Sequence, residues 1–470
     1  MSVPTDSAET ADVGKVSAQL QERAMQLLDI AKKSGAAEAE VYGYGGTSLS
    51  AKVEKGDLGQ VQADEGTSLG LRVMIDGQLG FASTNQMRTD ALEAVATDAV
   101  AIAKLSPPDP ANRLPEAVDV EDSQRMRHHL DADVASIEVA EVVERAQALG
   151  QSVIGHDARI SVDQASFSAV TGASVIVNSR GVLQTDEDAA LTMSVMALAV
   201  DGDDTGGFDY RGAVVRNSAE VEAELQRIAG EVASSCIGNL GAQTGKTYKG
   251  PVAFAPAAFS SSMLGPLLGS ISAIAVQRGR SALSEKLGEL IAPGLTLIDD
   301  PTNPRMAGAR AFDREGQPAR RTAIVEEGVL KTFLHNSYSA AVGETVSTGH
   351  AQGGARGVPG LGCHALRLDA VGPDSLADEA AMLKALGTGL YIQRFSGSVD
   401  GASGDFSGTA KSARWVENGE VVRSVNEVML SGNAFELLAS STRLTQATER
   451  VGGSSQIPWA LVDGISVTAG

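Results

Sequence analysis

Apolar positions along the chain follow two periods that trade places. From Val16 to Lys33 they recur at helical spacing, with Val16, Leu20, Leu27, Leu28 and Ala31 on one side, and Ser34-Gly35 ends the element. From Glu38 to Thr84 the pattern becomes an alternation punctuated by glycine: AEVYGY, SLSAKVEKG, LGQVQAD, TSLGLRVMIDGQLGFAST. Asp76-Gly77, between alternating runs, is a hairpin signal. Asp90 and Glu93 have capping-box spacing for a helix over Ala91 to Leu105. Four of the fifteen prolines then fall between Pro107 and Pro115, which predicts a linker or extended crossing segment over 106–116.

The order then repeats. A second amphipathic helix is expected over Val134 to Ile154, then strands Ile160–Val170, Ala173–Asn178 and Val182–Val200, with a turn at Asn178-Ser179-Arg180-Gly181. A helix over Ala219 to Ile237 closes the unit. Helix, meander, helix thus occurs twice, without residue-level identity between the copies. From Thr247 the chain is glycine-rich and mixed. A short apolar run, Val252–Ala255, breaks at Pro256, and Ala257 onward reads as a helix burying Phe259, Met263, Leu264, Leu267, Leu268 and Ile271. Strand-like TLIDDP, AIVEEGVLKTFLH, LYIQRF and ARWVENGEVVRSVNEVMLSG follow, with Glu327-Gly328 and Asn418-Gly419 as hairpin turns. The whole predicts an α+β fold of mixed, largely antiparallel sheets with flanking helices. It divides into a loose N-terminus over 1–14, an N-terminal α+β domain over 15–240 and a strand-rich C-terminal domain over 247–470.

Composition narrows the function. The net charge of −21, with no Lys/Arg cluster to offset it, repels phosphate backbones and disfavours nucleic acid. Two cysteines, Cys236 and Cys363, make no disulfide framework, so a reducing cytoplasm is expected. The polar, acidic start MSVPTDSAETADVGK has no signal-peptide core, and no apolar run approaches the ~18 residues that span a membrane.

Self-contained catalysis finds little support. A hydrolytic zinc site needs two imidazoles a helical turn apart, a third ligand and a carboxylate base. No His-x-x-His, His-x-x-x-His or His-Glu pair occurs. His128, His129, His156, His335, His350 and His364 read as surface or hydrogen-bonding side chains, with a site assembled from distant histidines as the alternative. GAQTGKT, Gly241 to Thr247, has three residues between its glycines where a phosphate loop needs four, and it follows a helix. Ser403 and Ser407 sit in no Gly-x-Ser-x-Gly elbow. Cys363-His364 are adjacent, a poor arrangement for a thiol and its base. Asp299-Asp300-Pro301 and Asp203-Asp204 read as solvated turns.

Longer blocks carry more information. GPVAFAPAAFSSSMLGPLLGS with SEKLGELIAPGLTLIDDP after it, AKKSGAAEAEVYGYGG, LSPPDP, and FDREGQPARRTAIVEEGVLKTFLHNSYSAAVGETVSTGHA lie in order along the chain. GLYIQRFSGSVDGASGDFSGTAKSARWVENGE follows them. Together they resemble the TldD/TldE (PmbA) family of paired, zinc-dependent peptidases. In that family TldD carries a His-Glu-x-x-x-His helix. Laid against it without a gap, the histidines fall on Leu264 and Gly269 and the glutamate on Gly265. The family's third ligand, a Cys, falls on Ala410 within GDFSGTAKSARWVENG. The chain therefore resembles the TldE/PmbA type, which lacks the metal. The extended N-terminus and the Gly-rich AQGGARGVPGLG depart from the family pattern.

The resemblance implies no metal and no catalytic residue in this chain. It implies a heterodimer with a TldD-like subunit that supplies zinc, its ligands and the base, and a chamber that admits unfolded or leader peptides. It also places Gly404, Asp405, Phe406 and Ser407 beside the partner-type metal strand, either lining a peptide channel with backbone donors and acceptors or forming a tight turn held by an Asp side chain. Gly354 and Arg356, within Ala351–Gly357, are either a substrate-facing rim or a plain loop. A scaffold homodimer without activity, or an enzyme using an unrecognised site such as Cys363 or a distant His cluster, are the alternatives.

Overall fold

The computed structural model describes residues 13–118 and 130–470. The chain opens with α1 (Val13–Lys33), which starts three residues ahead of the predicted Val16 and buries Leu20, Ala24, Leu27, Leu28 and Ala31. β1 (Glu38–Glu54), β2 (Asp57–Ile75) and β3 (Gln78–Thr84) form an antiparallel meander. Its turns use left-handed Lys55-Gly56 and the expected Asp76-Gly77. α2 spans Thr89–Leu105. The capping box does not form: Arg88 is the cap residue and makes no side-chain cap bond, and Asp90 lies inside the first turn, paired with Arg88 at 2.8 Å.

The predicted helix over Val134–Ile154 is broken. α3 (Ala132–Ala135) is capped by Asp131, and α4 (Val139–Ile154) restarts after Ser136-Ile137-Glu138. The second meander is β4 (Ile160–Asn178), β5 (Leu183–Asp201), β6 (Asp204–Thr205) and β7 (Asp209–Val215), followed by α5 (Val221–Gly238). β4 runs through Thr171-Gly172 without the expected interruption. Glycine is needed there for room, because a Cβ on Gly172 would meet the Tyr44 hydroxyl at 2.7 Å.

Both helix–meander–helix units share one seven-stranded sheet, ordered β3-β2-β1-β4-β5-β6 with β7 also on β5. The join is β1 against β4, antiparallel from Glu40↔Asn178 to Glu54↔Gln164. α1 and α2 cover one half of one face, α4 and α5 the other. Beyond β3 the edge of β2 is open: Asp57–Gly66 pairs only with β1, and every one of these residues is exposed.

Residues 243–469 form a fourteen-stranded, mixed and largely antiparallel sheet around Ser455–Ala469, so the α+β expectation holds. Left-handed Glu327-Gly328 and Asn418-Gly419 make the predicted hairpin turns. The helix after Tyr248–Phe254 buries Phe259, Met263, Leu264, Leu267 and Ile271, while Leu268 is only partly buried. It is not uniform: α-helix over Pro256–Phe259 and Gly265–Ser270 flanks a π turn at Ser260–Leu264. Ser261 and Ser262 donate side-chain bonds to the carbonyls of Ala257 and Ala258, at 2.9 and 2.7 Å. Such bonds compete with the regular ladder, a feature that apolar spacing cannot reveal.

The segment 307–317 docks the second sheet onto the first. Phe312 packs on Ile176 and Val182, and beside it runs a buried chain of charges. Arg72 Nη2 lies 2.7 Å from Glu40 and 3.0 Å from Glu315, and Arg314 Nη1 lies 3.1 Å from Glu40. Glu315 also accepts the Ser337 N–H at 2.7 Å. Removing one member of such a group strands the other charges in a low-dielectric site. Arg72→Met is therefore expected to lower stability by about 3–5 kcal/mol, read as a fall in urea midpoint, with Glu315 left without a cation and Glu40 left with Arg314 alone.

Candidate functional site

The family alignment points first at the helix after Tyr248–Phe254. Leu264 is fully buried, Ala410 is buried in strand Asp405–Lys411, and Gly265 and Gly269 carry no side chain. None of the four offers a nitrogen, sulfur or carboxylate oxygen, so these positions do not fit a zinc ion.

Gly404–Ser407 begin that same strand. Gly404 takes a left-handed φ of 82°, and a Cβ there would meet the Phe435 ring at 2.4 Å. The strand pairs with Arg394–Val399 on one side and Val428–Asn433 on the other. Its backbone donors and acceptors are therefore used within the sheet, leaving only the side chains of Asp405 and Ser407 to meet a ligand. Phe406 is buried. Asp405 already accepts from Ser403 Oγ at 3.0 Å and Asn433 Nδ2 at 2.9 Å, and the turn before it is held by Asp400.

Gly354 and Arg356 lie elsewhere. Ala351–Gln352 pairs with Gly360–Leu361, and the intervening loop leans on β2. Gly70 makes that approach possible, since a Cβ there would sit 2.2 Å from the Ala355 carbonyl oxygen. Gly354 and Arg356 line a hollow of about 390 Å³ with Tyr42, Tyr44 and Ser68, which none of Gly404–Ser407 lines. The structure thus does not gather the sequence candidates into one site.

Asp299 corrects another expectation. It is no solvated turn but fully buried, accepting the N–H groups of His364 and Ala365 and lying 3.1 Å from His350 Nε2. Burial opposes its charge, yet these bonds hold the carboxyl below its ordinary range. His350 and His364 stack at 5.6 Å. His364 Nε2–H donates to the Gly349 carbonyl (3.1 Å), which leaves Nδ1 to accept from Gln352. Burial, then the nearby Arg310 charge, pushes His364 down to about 3, so it is neutral at physiological pH. Burial raises the Cys363 thiol well above its ordinary value, the opposite of what a nucleophile requires. The cluster joins residues far apart in sequence, but Asp299, His350 and His364 are buried and their polar atoms are engaged with one another and with Thr348, Gly349, Gln352 and Ala365. His128 and His129 lie outside the described residues.

A cleft of about 720 Å³ separates α5 and β7 from the C-terminal strands. Arg211 and Arg394 converge on fully buried Asp209 at 2.8 and 2.7 Å. Among the described residues, buried Arg414 donates only to neutral groups, Asn239, Ser424, the Ser235 carbonyl and its neighbour Ala413. Ser235 Oγ donates to the Gln393 side chain rather than to a base. The cleft is built from ion pairs, not from a nucleophile and its activator.

The comparisons with known proteins agree along almost the whole chain. Residues 39–103, 132–237 and 246–469 match, in order, domain 1, the central domain and the C-terminal domain of the PmbA/TldA metallopeptidases. The chain belongs to the PmbA/TldD family. It is 29% identical to the metalloprotease PmbA of Escherichia coli over 436 residues, covering 90% of this chain and 91% of that one. A PmbA homologue from Haemophilus influenzae is 28% identical over 428 residues, covering 89% and 90%. The crystal structure of TldE from Thermococcus kodakarensis has the same fold, with a TM-score of 0.86 at 21% identity, covering 95% of this chain and all of that one. In this TldE/PmbA-like chain, no helix among the described residues is long and apolar enough to cross a membrane.

Sequence reasoning missed the charges gathered near Tyr42 and Tyr44 on the side of segment 307–314, chiefly buried Arg314 and half-buried Arg310 and Asp186. Two signals were available: the charged DREGQ run inside a long specific block, and TDEDA, whose aspartates two apart share one strand face.

The cleft also holds Glu449, whose carboxyl is pushed up to about 7 by burial, with the charge of Glu231 adding to it. The folded acid thus lies above its ordinary 4.5, and the chain loses stability as pH rises between these values. Glu449→Gln removes that loss. The variant is expected to gain about 1–2 kcal/mol over the parent at pH 8, after allowance for solvent screening, and nothing at pH 4.5, as measured by urea unfolding.

Proposed function

We propose that this chain is the non-metal TldE/PmbA-type subunit of a two-subunit zinc peptidase, located in the cytoplasm. The observation that carries the reading is that all four metal-site positions are occupied by Leu264, Gly265, Gly269 and Ala410 in a chain that matches all three family domains. A TldD-like partner then supplies zinc, its ligands and the base, and metal-activated water attacks the peptide carbonyl there. This chain contributes wall to the chamber and contacts to an unfolded or leader peptide. Gly354 and Arg356 beside the tyrosine hollow, and the side chains of Asp405 and Ser407, are its candidate substrate contacts. The rival reading, an enzyme with its own site, has one observation in its favour, the meeting of Asp299, His350, His364 and Cys363. The burial and hydrogen bonding of Asp299, His350 and His364, and the raised pKa of the Cys363 thiol, weigh against it.

Co-expression with the TldD-like protein of the same organism, followed by size-exclusion chromatography with zinc analysis, tests the proposal. The expected outcome is a mixed complex that contains zinc and cleaves unfolded peptide, and that loses both metal and activity when the partner's histidines are changed. Zinc retained by this chain alone, or chelator-resistant peptidase activity without a partner, would overturn it. A homodimer that never mixes would favour a scaffold.

A further inference from the structure

Beneath the segment 307–314 lies a cavity of about 150 Å³, and it shares Tyr42 and Tyr44 with the hollow that holds Gly354 and Arg356. Its floor is the sheet face turned away from the helices. The strand registers align one row across four strands, Ser68↔Tyr44↔Ser174↔Asp186, and place Asp188 opposite Gly172 in the next row. Three interstrand steps of ~4.8 Å make the row about 14 Å long, room for roughly four extended residues.

Two polar groups of this cavity, on Arg314 and Asp186, are incompletely paired. Arg314 is 3% exposed. Its Nη1 is paired to Glu40, its Nε reaches the Gly354 carbonyl at 3.4 Å, and its guanidinium lies over the Tyr42 ring at 4.1 Å. Its Nη2 is buried with no hydrogen-bond partner among the described residues. A guanidinium N–H left unpaired in such a place costs free energy that an incoming acceptor recovers. At the other end Asp186 belongs to no ion pair among the described residues, and its only close donor to Oδ2 is the Ala311 N–H at a long 3.4 Å. Burial above all raises its carboxyl to about 6, with the charge of Asp188 adding to that and the charge of Arg216 opposing it, so at neutral pH it is mostly charged and has no direct ion pair of its own. Asp188 beside it is held by Arg216 at 2.6 Å. An unpaired donor and a carboxylate outside any direct ion pair, in one cavity floored by Tyr42 and Tyr44 and also lined by Arg310, suit a ligand carrying both a carbonyl oxygen and a cation.

We propose that this cavity takes the free N-terminal residue of an extended peptide, with its ammonium at Asp186 and Asp188 and its carbonyl oxygen turned to the Arg314 guanidinium, whose occluded Nη2 is uncovered by a small shift of that side chain. The chain then leaves across Tyr44 toward Ser68 and the Arg356 loop. This rests on the reading of the chain as a peptide-handling subunit and adds to it a rule for which peptide end is held.

The test uses a short unstructured peptide with a dye at its C-terminus, in three forms: free N-terminus, acetylated N-terminus, and acetylated with lysine at the second position. Binding is followed by fluorescence anisotropy on the full chain, alone and in the mixed complex. The free amine is expected to bind at least about tenfold more tightly than either acetylated form, the equivalent of one charge-assisted hydrogen bond. Asp186→Asn, which breaks no direct ion pair, is expected to erase that preference with a melting temperature at neutral pH that is not lowered, since it removes a carboxylate whose burial costs stability there. Equal binding of free and acetylated peptides, no binding of any, or a preference that survives Asp186→Asn would overturn the proposal. Full recovery by the lysine form would overturn it in favour of a side-chain ammonium site. A zinc-loaded complex that cleaves peptide without amine preference would sink this inference alone. An amine preference on a chain that forms no complex would support it and remove the peptidase role.

Discussion

The two sheets of this protein are held in register by buried charge. Glu40 and Arg72 come from neighbouring strands of the first sheet, and Arg314 and Glu315 from a loop that reaches over from the second half of the chain. Apolar surfaces can slide over one another at modest cost, whereas a displaced guanidinium in this setting loses its partners outright. The same loop continues through Asp313, which accepts the N–H groups of Glu315, Gln317 and Ala351. One short peptide thereby sets the position of the sheet, of the Ala351–Gly357 loop and of the cavity between them.

What was legible in the sequence was what depends on period. The helices α1, α2 and α5 and the long strands follow from spacings of three, four and two, and the Asp76-Gly77, Glu327-Gly328 and Asn418-Gly419 turns from the need for left-handed residues. What was not legible depends on partners distant in sequence. Gly172 looked like a break because nothing local says that a tyrosine from β1 needs the space. Asp299 looked like a solvated turn because its donors lie about 50 to 65 residues further on. The break between α3 and α4 fell in an unremarkable apolar stretch whose cap, Asp131, is also tied to Ser218.

The candidate site divides along the same line. Motif comparison located four positions where metal chemistry would sit and found them empty of ligands. The positions read as substrate contacts proved to be of two kinds: a strand already paired on both sides, and a loop that roofs a cavity. The unpaired groups of that cavity come from β5 and from the docking loop, and only the fold brings them together.

The open edge of β2 has a consequence of another kind. Strand edges of this length invite pairing between copies, and this one shows Leu58 and Val61 to solvent. It also carries Asp57, Asp64 and Glu65, on a chain whose net charge is −21. Two copies approaching edge to edge meet as like charges. The protection is electrostatic rather than steric, so high salt weakens it while the buried pairs that hold the fold are screened much less. How well this protein keeps in storage is then a property of its buffer as much as of its stability.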